Sequence, residues 1–156
     1  MLDFFRHKRQ LVGYFLVFFQ FGLLGLLASL AAPQLVHGER SLLSLVCVAL
    51  ALWLAGWTLM HNRFGNFNIH PAPKAAGVLV TSGPYRLIRH PMYSAVMLGA
   101  AAMALLVPSC LGFMLWAGLA VVLLTKAWLE ERWVSEQHPE YAVYCQQTKR
   151  FVPWVW

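Results

Sequence analysis

The sequence predicts an all-α, polytopic membrane protein forming a single membrane domain over residues 1–156. Four transmembrane helices are expected, with a cytosolic loop between the second and third and a C-terminal interfacial helix. Composition is the first reason: apolar residues make up 60% of the chain and charged residues only 12%, against roughly 45–50% and about 25% in soluble domains. Too few charges are present to cover a water-soluble globule of this size. The second reason is that the apolar residues fall into long runs with basic residues between them. High hydrophobicity and the lack of a short repeat exclude disorder, collagen and a coiled coil.

Residues 11–32 form the first run, broken only by Gln20 and Ser29. At ~1.5 Å per residue it is long enough for a hydrocarbon core of ~30 Å. Arg6-His7-Lys8-Arg9 precedes it in the manner of a signal peptide. The run exceeds the ~7–15 residues of a signal h-region, and Ser29-Leu30-Ala31 is a weak cleavage match, so a retained helix is expected. Residues 41–60 form the second run, with Trp53 and Trp57 one turn apart. The interval 61–90 then collects Asn, His, Pro and Gly at a density that stops any continuous helix.

Residues 92–107 form a short third run rich in Gly and Ala. Pro108-Ser109 makes a turn, and residues 111–129 form the fourth run, interrupted late by Lys126. The last two runs are expected to pack as a hairpin through the small residues Ser94, Ala95, Gly99 and Ala102. From Lys126 the chain should leave the membrane. His138-Pro139-Glu140-Tyr141 reads as a helix restart with proline at its first position. The aromatic end, Phe151 to Trp156, suits the interface.

Four crossings put both termini, the 61–90 interval and the C-terminal segment in one compartment. That compartment holds eleven of the twelve Lys and Arg residues, Arg40 being the exception. By the positive-inside rule it is the cytoplasm, and the expected location is a bacterial inner membrane. The net charge of +6 therefore reads as topology and contact with membrane lipids, not nucleic acid. Cys47, Cys110 and Cys145 form no CxxC and no zinc spacing, so neither a disulfide framework nor a structural metal is expected.

One stretch, Thr81 to Tyr93, concentrates unusual residues where the polar interval meets the third run. Arg86 and Arg89 are three apart, Tyr85 and Tyr93 can bracket a flat ligand, and His90 is placed to cap the helix that starts at Pro91. Read plainly, the same Arg and Tyr residues anchor headgroups. The second feature is Glu130-Glu131. Adjacent helical positions point ~100° apart, so one carboxylate faces a site while the other meets water or Arg132. Lys126, one turn earlier, can face the same way. No His follows either acid at metal-ligand spacing, and adjacent acids are a poor hydrolase pair. Asp3 is the sole aspartate, and no GxGxxG or GxxxxGK is present. Tyr141 and Tyr144 make one aromatic helix edge, which by itself reads as an interfacial helix.

Taken together, Gly83-Pro84-Tyr85-x-x-x-Arg89-His90-Pro91-x-Tyr93, Glu130-Glu131 and Tyr141-x-x-Tyr144 followed by Arg150-Phe151-x-Pro153 resemble the isoprenylcysteine carboxyl methyltransferase and phospholipid methyltransferase family. The resemblance covers about residues 77–154. It implies an integral membrane enzyme that uses S-adenosylmethionine and a lipophilic or lipid-linked acceptor. Carried over, the cofactor site comprises Gly77, Val78, Leu79 and Val80, then Tyr85, His90, Pro91, Met92 and Tyr93, and Glu130 or Glu131. Lys126 stands where the prenylcysteine enzymes have an arginine that contacts the substrate carboxylate. Arg89 and His90 are the other catalytic candidates, His90 as the base that an amine acceptor would need. Ser94 stands where many members have glycine, and His138-Pro139-Glu140-Tyr141 replaces Phe-Gly-x-x-Tyr. Two other readings accompany this one: an NADPH-dependent membrane reductase of related architecture, and a small non-catalytic membrane subunit.

Overall fold

The computed structural model describes residues 2–38, 41–62 and 79–155, with side chains from residue 7 onward. Five α-helices and one 3₁₀ turn make up the regular structure of these residues: α1 (Leu2–Val36), α2 (Leu42–His61), the turn Gly83–Arg86, α3 (Pro91–Ala104), α4 (Cys110–Gln137) and α5 (Tyr141–Gln147).

Three of these helices are long and apolar enough to cross a membrane: His7–Val36 within α1, then α2, then α4. The protein is integral to a membrane on that ground. Helix α1 starts before the first apolar run and passes through Pro33. Proline there removes one backbone bond, but it sits in the last turn, where little helix remains to be disrupted. Gly38, at φ 80°, ends the segment. The third run gives a shorter helix than expected: α3 has 14 residues and stops at Ala104, about 21 Å of rise. Residues 105–109 tighten instead into turns, with Leu106 N–H on the Met103 carbonyl and Ser109 N–H on the Val107 carbonyl. Helix α4 runs on past residue 129 without a break, so Lys126, Glu130 and Glu131 share one rigid element. The expected restart at Pro139 is a turn, and α5 begins at Tyr141.

The core lies between α1, α3 and α4, where Leu27, Ala31, Ala100, Ala104, Leu119 and Leu123 are buried together. The small residues of α3 serve a different partner from the one expected. Ala102 accepts a hydrogen bond through its carbonyl from Ser44 Oγ of α2 at 3.0 Å, and Gly99 faces Ala51 of α2. Close approach of α3 and α4 depends on Gly112, where a Cβ would lie 2.8 Å from the Ala104 carbonyl oxygen and 2.9 Å from Val107 Cβ. Farther along, Trp116 Nε1–H donates to the Met97 carbonyl at 3.0 Å. Phe15, Phe18, Leu42, Leu52, Met114 and Val121 are exposed on the outer faces, as lipid contact requires.

Gly112→Ala should destabilise the helical core by about 1–3 kcal/mol through overpacking against backbone, read as a lower unfolding temperature of the detergent-solubilised protein.

Candidate active site

The site begins with the loop before α3. Gly83 has φ 58°, a left-handed value that suits glycine. A Cβ there would lie 2.3 Å from His61 Cγ, so the imidazole at the end of α2 packs on bare backbone. Tyr144 of α5 donates its hydroxyl to the Tyr85 carbonyl at 2.7 Å. Both Tyr141 and Tyr144 are buried, so the aromatic edge of α5 turns into the site rather than toward the interface.

Backbone pairing then stitches two distant stretches together. Ile88 and Lys149 form an isolated parallel bridge. Lys149 N–H donates to Leu87 O at 3.0 Å, Arg89 N–H to Lys149 O at 2.8 Å, and His90 N–H to Arg150 O at 3.1 Å. Ser94 fastens the same seam, since its Oγ donates to the Phe151 carbonyl at 2.8 Å. A glycine in that position would leave the carbonyl without this bond.

Side chains converge on Glu131 from both stretches. Its Oε1 accepts Arg89 Nε–H at 2.8 Å, His90 Nε2 at 3.1 Å and Arg150 Nε–H at 3.1 Å. Its Oε2 accepts a second Arg150 nitrogen at 2.6 Å. Arg89 also donates to the carbonyls of Cys145 at 3.2 Å and Thr148 at 2.5 Å. Burial works against the Arg89 charge, but the hydrogen bond and charge of Glu131 outweigh it and raise its pKa. Arg89, a catalytic candidate on the sequence, is thus engaged in a brace.

Glu130 points elsewhere, as the ~100° step along a helix requires. Its side chain is 36% exposed, against 12% for Glu131. Oε2 accepts the Tyr93 hydroxyl at 2.9 Å and lies 3.7 Å from His90 Nδ1. The His90 and Tyr93 rings stack at 5.3 Å and 4°, with Phe151 packed on His90 at 5.6 Å. His90 occupies the N-cap position of α3 without a side-chain cap bond; its imidazole lies between the two carboxylates instead. Burial and the Glu130 charge push the Tyr85 hydroxyl up to about 12, so it stays a neutral donor. Leu79 and Val80 lead into this loop, Pro91 is buried and Met92 half-buried. Gly77 and Val78 lie outside the described residues.

Lys126 is fully buried. Its Nζ donates to Gln20 Oε1 of α1 at 2.5 Å and lies 5.2 Å from the centre of the Tyr93 ring. Sequence reasoning missed Gln20 and the bracing role of Arg150. The signal for Gln20 was present, because it is the amide that interrupts an otherwise apolar run.

A family model for phospholipid methyltransferase matches residues 39–141. The chain belongs to the phospholipid methyltransferase family. The acid pair Glu130-Glu131 and the stacked rings of His90 and Tyr93 lie within the matched segment. The cobalt-zinc-cadmium resistance protein CzcN of Cupriavidus metallidurans is 38% identical over 77 residues, covering 48% of this chain and 35% of that protein. The chain thus spans about a third of the length of that curated relative. No solved structure matches the chain.

Glu131→Gln should cost about 3 kcal/mol or more, because it leaves two half-buried guanidinium groups without their anion. Chemical denaturation in detergent measures this loss. Gly83→Ala should cost about 1–3 kcal/mol from its left-handed backbone alone, and the displaced His61 ring adds to it.

Proposed function

We propose that the protein transfers a methyl group from S-adenosylmethionine to a lipophilic acceptor at the cytoplasmic face of the membrane. The observation that carries this reading is the open carboxylate of Glu130, held by Tyr93 beside His90, in a chain of this family. The donor set fits the cofactor. A half-exposed carboxylate suits an ammonium group or ribose hydroxyls, and aromatic faces suit a sulfonium or adenine. Bound there, S-adenosylmethionine would supply an electrophilic methyl group.

The residues then divide the work. Glu130 holds the cofactor, and Tyr93 fixes the carboxylate by donating its hydroxyl. Backbone groups of Leu79 and Val80 read the adenine edge, with Tyr85, Pro91 and Met92 as further walls. Glu131 with Arg89 and Arg150 keeps that wall in place. His90 donates through Nε2 to Glu131 and turns Nδ1 toward Glu130, where it is the candidate base for an amine acceptor. A carboxylate or thiolate acceptor needs no base. The protein's contribution is alignment and exclusion of water.

Four crossings complete this reading, with α3 as the short one. Arg9 of α1 pairs with Glu136 of α4 at 2.8 Å, which supports a shared side for that part of α1 and the site. The distribution of basic residues then assigns both termini and the site to the cytoplasm.

Calorimetry on the purified full chain tests this proposal. S-adenosylmethionine should bind, and Glu130→Gln should weaken it about tenfold or more, the worth of a charged hydrogen bond. Glu130→Gln should also unfold near the wild-type temperature, unlike Glu131→Gln. Undiminished affinity in Glu130→Gln, or binding of NADPH in place of S-adenosylmethionine, overturns the proposal.

A further inference from the structure

We propose that Gln20 of α1 is a positioning residue that fixes the Lys126 ammonium beside Tyr93, where its positive field keeps the acceptor group unprotonated and nucleophilic. The inference rests on the methyltransferase reading and extends it to a helix residue outside the segment that carries the family match.

The geometry is specific. Gln20 is 6% exposed and Lys126 0% exposed, and their bond joins α1 to α4 at 2.5 Å. Groups placed around the ammonium include the Gln20 amide from α1, the Tyr93 ring from α3 at 5.2 Å and Glu130, one turn along α4. Tyr93 is shared: its face meets the cation and its hydroxyl donates to Glu130. The cation therefore lies at the apolar end of the site, one turn deeper than the carboxylate assigned to the cofactor. A lipophilic acceptor arrives at that end.

The choice of an amide matters. A glutamine oxygen satisfies one ammonium donor without cancelling the charge, whereas a carboxylate would pair with it and remove its field. Leucine, like the rest of the α1 run, would leave the donor without this partner at large cost. A unit charge within ~6 Å at an effective dielectric constant of ~20 moves a titration by about one to two pH units. The sign is the same for every acceptor in question. A nearby cation favours carboxylate over acid, thiolate over thiol and amine over ammonium, and in each case the favoured form is the nucleophile. The methyl group moves from sulfur to that lone pair, the sulfur keeps the electrons of the broken bond, and any acceptor proton has already left, to solvent or, from an amine, to His90.

The test uses the full chain in lipid nanodiscs with labelled S-adenosylmethionine and three probes: oleate, hexadecanethiol and dioleoyl phosphatidylethanolamine. For the probes that are methylated, Gln20→Met should move the acid limb of the kcat/KM profile up by about one pH unit, roughly tenfold in rate at the low end. The affinity for S-adenosylmethionine should stay within about twofold. The double variant Gln20→Met/Lys126→Met removes both members of the bonded pair and should keep the displaced acid limb, with its unfolding temperature measured alongside as the control for folding. An acid limb unmoved in both variants, or a loss of rate equal at every pH, overturns the inference and leaves a structural pair. Failure of the wild type to bind S-adenosylmethionine and to methylate any probe overturns the underlying reading instead, and this inference with it.

Discussion

A half-buried carboxylate is the constraint on which the site depends. Glu131 accepts hydrogen bonds from Arg89, His90 and Arg150, which come from the loop before α3 and from the chain beyond α5. An ionised group this far from water is tolerable only where charge and hydrogen bonds replace the lost hydration. The converse also holds: two guanidinium groups in this setting need their anion. The cluster therefore forms completely or at considerable cost. Because its members lie 42, 41 and 19 residues from Glu131 along the chain, forming it closes the loop and the tail onto α4. The backbone seam at Ile88 and Lys149 and the Ser94 bond to Phe151 then fix the register of that closure.

With Glu131 occupied, Glu130 is left to do something else. Two adjacent acids on one helix have separate surroundings because the helix turns ~100° between them. One meets arginines and is consumed in structure; the other meets a phenol and opens outward. Tyr93 and His90 connect the two, since Tyr93 donates to Glu130 and the stacked imidazole lies between both carboxylates. The pairing explains how a chain with so few charged residues can support a polar pocket. Lys126, Glu130 and Glu131 each have a bonded partner in the pocket, and much of the apolar remainder is exposed on the outer faces.

Much of this was legible in the sequence because it depends on local chemistry. The run forming α2 was clear from its uniform apolarity, and the convergence of the Tyr85–Tyr93 stretch with Glu130-Glu131 followed from the quoted motifs. What stayed hidden depended on partners. Adjacent glutamates look alike in a sequence, and only the arrival of Arg150 distinguishes them. Ser94, Gly99 and Ala102 announced close packing but not its object, which for Gly99 and Ala102 includes α2. His90 before Pro91 has the sequence position of a cap, yet two carboxylates attract its ring more strongly than a helix end does. The stop of α3 at Ala104 reflects local turns and the approach of Gly112, neither of which hydrophobicity records.

Helix α4 supplies the axis that unifies these pieces. Along it stand Lys126, Glu130 and Glu131, a cation followed by two anions within little more than one turn. Each is solvated by a different part of the chain: Lys126 by the α1 amide, Glu130 by the α3 phenol, and Glu131 by the loop and tail. No single neighbour could serve all three, because the helix presents them on different sides and at different heights. A pocket of this kind needs protein on every side of α4, so residues at both ends of the chain are drawn into it. Gln20 and Arg150 lie outside residues 39–141, yet each completes a charge within them. The matched segment carries the acids and rings of the site, while the ends of the chain decide what electrostatic environment those groups occupy.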